Sequence, residues 1–464
     1  MPLACLVLVR LLTGTAVVVA FAALVAAPAQ PNPQQATAVP GEALFVVSGR
    51  GYGHGVGMGQ YGAYGQANAG RSHEQILAHY YPGTEIGRNE KADVRVLLAE
   101  GRHAAIVSSA VPYSLRDATG AVFKLPAGPL TIRPGLRLTT PEGTERPVFP
   151  VLVRPGKATP LGLEGSLYRG KLEAALQGGF LRLVNVTPLE SYLSGVVANE
   201  MPHTWPSEAL QAQAVAARSY ALANLVKGKP FDLYSDQRSQ VYEGVAGETA
   251  RTTDAVRATA HQVLLHAGKI ATTFYYSSSG GRTASAVDVF GSNVPYLVSR
   301  PDPWDKVSPW HSWGPVLFGA RTIQAKFGAA SRVIDATGVP TPSGRLRSLT
   351  LETVSGPAKV PAALLRTSLG LRSTWVTIGV LRLDRPRGPV AAGSPLRLEG
   401  IARGVEAPVL MSSPDGSSWT KAGKVQVDAS GAASVVVKPV KTTRYRIEVD
   451  GASSAAIVVR VTPK

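Results

Sequence analysis

Glu200 stands in Asn199-Glu200-Met201-Pro202, between two segments of helical character. A carboxyl at a helix C-terminus feels the negative end of the helix dipole. Met201 and Trp205 beside it would add desolvation. Both effects raise a carboxyl pKa and suit a general acid. The same position also describes a solvated glutamate at a helix end. Arg218 is the next candidate, the only charged residue between Glu208 and Lys227. An arginine so placed is either on the solvent side or aimed at an anion. Ser235, Asp236, Gln240 and Tyr242 fall in one polar and aromatic stretch that could hydrogen-bond and stack sugars, or form an edge strand. Ser277, Ser278, Ser279, Gly280 and Gly281 follow an aromatic run, as a strand entering a polar turn. A nucleophilic serine there lacks a neighbouring base in the sequence. The turn therefore either binds substrate by hydrogen bonds or is turn chemistry alone. His54 lies between Gly53 and Gly55, which leave it no bulky neighbour. It is either structural or lines a cleft, next to substrate or to Glu200.

Several other chemistries are excluded. The only cysteine is Cys5, so a thiolate zinc site and a cysteine nucleophile are not expected downstream of it. No G-x-S-x-G or H-E-x-x-H motif occurs. His73 and His79 cannot share one helix face at their spacing. Gly57-Met58-Gly59-Gln60-Tyr61-Gly62 matches a dinucleotide fingerprint, but a chance match is expected among so many alternating glycines. No cofactor and no metal site are expected.

The elements that must position these residues are legible in part. Leu44 to Val47 reads as a strand, and a glycine-rich run from Gly49 to Gly65 follows it. His73 to His79 reads as helix, and residues 91–185 are rich in strand-like runs. Thr187-Pro188-Leu189-Glu190 has the form of a capping box with proline at the first helical position. Leu189, Tyr192, Leu193, Val196 and Val197 follow with helical spacing. Pro202 should end this helix near Glu200. Pro206 opens a second helix, rich in alanine and leucine. From about residue 379 to 464, short alternating runs and turn signals such as Pro414-Asp415-Gly416 suggest a separate β-sandwich-like domain. The expected fold class is α+β: a strand-rich domain with a few helices around the site, then an all-β domain.

Hydrophobic residues make up 45% of the 464 residues, enough for a full core. The formal net charge is +17, which points to an anionic partner. Arg10, the apolar run Leu11 to Ala27 and Ala27-Pro28-Ala29 read as an export signal over residues 1–29, followed by a polar linker over 30–40. An uncleaved anchor is the other reading of this segment. An exported, basic chain is expected to meet an anionic cell envelope rather than nucleic acid, with no stable membrane insertion once the signal is removed.

The chain resembles the family of stage II sporulation protein D and the amidase enhancers (SpoIID/LytB). The resemblance rests on PLESYLSGVVANEMPHTWPSEALQAQAVAARSYAL (188–222), SDQRSQVYEG (235–244) and TTFYYSSSGGRTASAVDVFGSNVPYLVSRPDPWD (272–305), with the glycine-rich block and its HYYPGT, and covers roughly residues 41–378. It implies a secreted or envelope-associated, peptidoglycan-acting protein: a lytic transglycosylase, or an enhancer of a separate N-acetylmuramoyl-L-alanine amidase. The implied partners are glycan strands, other anionic wall polymers and a wall amidase. Glu200 matches the family's catalytic glutamate in E-M-P, and Arg218 the arginine of A-V-A-A-R. The G-H-G-V-G-M block usually follows the S-S-S-G-G region in this family. Here it precedes it, at residues 41–90 against a core over 91–378, so the block should pack back beside Ser277–Gly281. Some members hold zinc near the S-D-x-x-x-Q-x-Y segment. Ser235, Asp236, Arg238 and Ser239 stand there in this chain, without Cys or His.

Overall fold

The computed structural model describes residues 41–89, 92–225 and 228–463. The expected export signal and linker (1–40) lie outside the described residues. The fold is α+β and rich in strands.

The glycine-rich segment supplies the strand Met58–Gly59 and then helix α1 (Gln60–Asn68). Helix α2 (His73–Tyr80) follows, with a capping box between Ser72 and Gln75. Met58–Gly59 pairs in parallel with Tyr275–Tyr276. Tyr52 and Ser278 exchange backbone hydrogen bonds of 2.8 and 3.0 Å. The block therefore lies against Ser277–Gly281 across more than 200 residues of intervening chain. This approach needs glycine. At Gly57 (φ +82°) a Cβ would stand 2.0 Å from the Phe274 carbonyl oxygen.

A seven-stranded sheet carries the next helices. Its first three strands in spatial order are Leu233–Tyr234, Asp93–Arg102 and Phe180–Pro188. Phe180–Pro188 runs directly into helix α3 (Leu189–Glu200). The expected capping box is not formed: Thr187 is a strand residue, and no side chain caps α3. Glu190 is engaged instead by Arg218. Leu189, Tyr192, Leu193, Val196 and Val197 are buried against Val94, Val96, Ala214 and Ala217. Each large apolar side chain so buried contributes about 1.5–3 kcal/mol. Helix α3 stops at Glu200 because Met201 is extended (φ −131°, ψ 140°), the conformation favoured before Pro202. Helix α4 (Ser207–Ala223) follows. Its alanines let it pass between two cores, with Ala212 and Ala216 facing one and Ala214 and Ala217 the other.

The C-terminal strands are not independent of what precedes them. One six-stranded sheet runs Trp313–Gly319, Leu44–Gly49, Val376–Leu383, Leu396–Arg403, Ala432–Val437, Gln426–Val427. The expected boundary at 379 falls inside the strand Val376–Leu383, which pairs with Leu44–Gly49 from Val376 to Leu381. A second sheet centred on Val409–Ser413 and Thr443–Val449 shares one core with it, through Leu44, Val46, Leu381, Leu410 and Ile447. Phe45 and Val47 face a different core, built with Ile323, Leu349 and Leu365. Both faces of Leu44–Gly49 are thus covered, which is why its sequence is a continuous apolar run. Among the described residues, no helix is long and apolar enough to cross a membrane.

Candidate functional site

Glu200 is the last residue of α3 and is half-buried. Its carboxylate Oε1 accepts from the Val241 N–H at 3.2 Å. Its backbone carbonyl accepts from Gln60 Nε2, at the start of α1, at 3.0 Å. Burial pushes the Glu200 carboxyl above the usual carboxylate range, opposed by hydrogen bonds from Val241, Tyr275 and Gln60. None of those groups is a carboxylate or a cation.

Tyr275 is held from behind. Its hydroxyl accepts from Gln240 Nε2 at 2.9 Å, and Gln240 Oε1 accepts from the Tyr192 hydroxyl at 3.0 Å. The Tyr275 hydroxyl thus keeps its proton to donate, and it is one of the groups that oppose the upward shift of the Glu200 carboxyl. Gln240 (1% exposed) also donates to the Ala217 carbonyl. Tyr242 (4% exposed) donates to Asn185 Oδ1 at 2.8 Å. Their expected role in touching substrate is therefore corrected: both spend their polar atoms on protein and hold the wall behind Glu200. Ser235 accepts the Tyr242 N–H at its backbone carbonyl. Asp236 forks onto the exposed Arg238, which lowers its carboxyl to about 2.

Arg218 is corrected in the same way. It is 0% exposed. Nε and Nη2 bond the Glu190 carboxylate at 2.9 and 2.7 Å. Nη1 and Nη2 reach the carbonyls of Gln262 and Val256 at 3.1 and 3.2 Å. No donor is left for an anion from outside. The guanidinium ties α4 to the first turn of α3 and so to the helix that ends in Glu200.

The serine-glycine turn is organised around a buried carboxylate. Asp305 accepts from Ser278 Oγ at 2.9 Å, the Ser279 N–H at 2.8 Å and the Gly280 N–H at 2.9 Å, and pairs with His311 Nδ1 at 3.0 Å. Ser279 Oγ accepts from the Gly281 N–H at 3.1 Å. Ser278 and Ser279 are buried and so do not line an open surface. Ser277 and Gly281 are half-buried. Ser277 accepts the Tyr61 N–H at its carbonyl.

His54 has neighbours other than Glu200. Nδ1 accepts from the Val56 N–H at 3.0 Å. Its ring sits among Phe274, Tyr276 and Phe290, with centroids at 6.0, 5.3 and 5.6 Å. Burial first, then the charge of Arg366, lowers its pKa to about 4, so it is neutral near neutral pH. Among the described residues no hydrogen bond or ion pair joins it to Glu200.

The site also contains groups that sequence reasoning passed over. Tyr61 and Tyr64, three apart on α1, meet the Trp205 ring at 5.0 and 4.8 Å. All three are half-buried. Trp205 follows Glu200 by five residues, and Gln60, which touches Glu200, precedes Tyr61. The i, i+3 spacing of the tyrosines was the available signal. It lay inside the glycine-rich run, where no helix was expected. Among the described residues, no group of three or more His, Cys, Asp or Glu is placed to hold a metal ion.

The family model described as stage II sporulation protein matches residues 177–266, which contain α3, α4 and Glu200. The chain is 33% identical over 203 residues to stage II sporulation protein D of Bacillus subtilis, covering 40% of this chain and 59% of that one. It is 39% identical over 118 residues to the amidase enhancer of Bacillus subtilis, covering 25% of this chain and 16% of that one. An uncharacterized protein of Brachyspira hyodysenteriae is 38% identical over 138 residues, covering 29% of this chain and 38% of that one. The chain thus spans less than two thirds of the length of each of these relatives. Residues 177–266 thus match the stage II sporulation protein family model, and the chain is similar over part of its length to stage II sporulation protein D and to an amidase enhancer.

Proposed function

We propose that this protein is an exported, wall-acting lytic transglycosylase that cuts peptidoglycan glycan strands with Glu200. The observation that carries the proposal is the Glu200 carboxyl, raised by burial, held at Oε1 by the Val241 N–H, and with no second carboxylate among the groups that shift it. Glycan cleavage normally uses two carboxyl groups. A transglycosylase needs one, because the nucleophile belongs to the substrate. Protonated Glu200 gives its proton to the glycosidic oxygen as the bond from the muramic acid C1 breaks. The resulting carboxylate takes the proton of the C6 hydroxyl, whose oxygen closes onto C1 as a 1,6-anhydro ring. Glu200 ends protonated, ready for the next cleavage. The Val241 N–H and Tyr275 hydroxyl support the carboxylate in between. Tyr61, Tyr64 and Trp205 offer flat apolar faces on which sugar rings can pack. The basic balance of the chain favours its concentration on an anionic wall.

Glu200→Gln keeps the shape and removes the proton. It is expected to abolish release of 1,6-anhydro-ended fragments from purified glycan strands, read by mass spectrometry. Undiminished release would overturn the assignment. The relative named as an amidase enhancer supports a second reading, in which this chain binds wall and stimulates a separate amidase. That reading prevails if the wild-type chain releases no anhydro product yet accelerates a wall amidase.

A further inference from the structure

Away from Glu200, the end of the strand Leu44–Gly49 opens into a cavity of about 480 Å³ lined by Ser48, Arg50, Ser312, Trp313, Trp375 and Thr377. Both indoles are held in place. The Trp313 ring lies across Gly49, where a Cβ would stand 2.3 Å from it, and its Nε1–H donates to the Gly51 carbonyl at 2.9 Å. Trp375 packs on Gly344, where a Cβ would stand 2.9 Å from the ring. Two guanidinium groups lie over its ring, Arg50 at 5.6 Å and Arg345 at 5.1 Å from the centroid. Arg345 is 2% exposed and is anchored by Nη2 to the carbonyls of Ser279 and Arg282, both at 3.1 Å. Arg50 is exposed. Among the described residues, neither takes part in an ion pair. A third arginine nearby, Arg372, stacks on Trp310 at 3.7 Å and also lacks an acidic partner.

The cavity therefore combines two fixed indoles, one of them with the mobile head of the exposed Arg50 over its ring, three hydroxyl side chains and a local excess of positive charge. Indole faces accept the C–H face of a sugar ring, and serine and threonine hydroxyls exchange hydrogen bonds with sugar hydroxyls. A guanidinium free of acidic partners binds a carboxylate in a two-pronged hydrogen bond. We propose that this cavity is a second, non-catalytic glycan site that takes a saccharide bearing a carboxylate. The choice of a carboxylated wall sugar rests on the function proposed above. The indole faces argue against a phosphate-only polymer as the occupant, since such a polymer has no ring to lay on them. The chain connects the two sites through the glycine-rich segment: Arg50 stands at the cavity, and ten residues later Gln60 touches Glu200. Gly280 packs so closely on this segment that a Cβ would lie 2.6 Å from Arg50 Cβ. The serine-glycine turn thus serves the cavity by fixing its wall. One strand of glycan could be gripped here while another part of it lies at Glu200.

The test uses the exported chain with its tryptophan indoles labelled by nitrogen-15. The six indole N–H signals are assigned by single substitutions. Three probes are titrated: the disaccharide of N-acetylglucosamine and N-acetylmuramic acid with its lactyl carboxylate free, uncharged diacetylchitobiose, and a glycerol-phosphate polymer. The Trp313 and Trp375 signals are expected to move with the muramic disaccharide, with about tenfold weaker affinity for chitobiose. Arg50→Ala, a change at an exposed side chain, is expected to weaken the muramic disaccharide about tenfold and leave chitobiose unchanged. Equal affinities for the two disaccharides, an unchanged affinity in Arg50→Ala, or tighter binding of the glycerol-phosphate polymer at these signals would each overturn the proposal. Movement confined to Trp205 would also overturn it while leaving the Glu200 assignment standing. Movement at Trp313 and Trp375 in a wild-type chain that releases no anhydro product would uphold this site and sink the Glu200 assignment.

Discussion

Tyr275→Phe takes away a hydroxyl that favours the charged form of the Glu200 carboxyl, and with it the acceptor of one Gln240 Nε2 hydrogen bond. The Tyr275 hydroxyl accepts from Gln240 Nε2 at 2.9 Å, and Gln240 is fixed by Tyr192 on its other side at 3.0 Å. The Tyr275 proton therefore serves Glu200, where it favours the charged form against the burial that raises the carboxyl pKa. A hydrogen bond to a charged group is worth about 1.5–3 kcal/mol. At about 1.4 kcal/mol per pH unit, its loss lifts the pKa further by about one to two pH units. In the proposed reaction Glu200 acts first as an acid, so the rate holds while the carboxyl is protonated and falls as pH rises through its pKa. In Tyr275→Phe this falling limb moves to higher pH by about one to two units, and the weaker acid lowers the maximal rate about tenfold. The assay is release of anhydro-ended fragments from purified strands across pH, with folding checked by circular dichroism. A limb that stays in place while the rate drops would show that Tyr275 does not act on the Glu200 carboxyl. A limb that moves to lower pH would refute the balance of burial against hydrogen bonding.

Glu190→Gln leaves the fully buried Arg218 with a neutral partner and is expected to cost about 2–4 kcal/mol in denaturant unfolding, while Glu190→Gln with Arg218→Met is less destabilised than the single change. Additive losses, or a raised KM without loss of stability, would return Arg218 to a substrate role. Gly57→Ala, with φ +82° and a carbonyl oxygen 2.0 Å from the new Cβ, is expected to cost more than about 3 kcal/mol, against about 1 kcal/mol for Gly83→Ala, which has φ +75° and open space. Equal melting shifts would contradict the close packing of the glycine-rich segment on Phe274. Strong chelators are expected to leave anhydro release unchanged, because among the described residues no group of three or more His, Cys, Asp or Glu is placed to hold a metal ion; loss of stoichiometric zinc together with activity would overturn this.

The sequence alone determined the features governed by neighbours along the chain. Pro202 ends α3 at Glu200, the apolar spacing of Leu189 to Val197 sets the buried face of that helix, and clustered glycines mark a backbone that must be approached closely. Even locally the reading failed where a distant partner won: Thr187 was drawn into a strand, and Glu190 went to Arg218 rather than to a cap. Burial and pairing belong to both partners at once, so tertiary structure decided the rest. Gln240, Tyr242 and Ser278 look on paper like sugar-binding residues, yet buried partners as far away as Asn185 and Asp305 claim their polar atoms. The strand Leu44–Gly49 reads only as apolar. Its place between Trp313–Gly319 and Val376–Leu383 follows from edges more than 260 residues away that also needed hydrogen-bond partners. Glu200 itself was legible as a glutamate at a helix end; only the packing of α1, Val241 and Tyr275 around it supplies the desolvation that suits it to act as an acid.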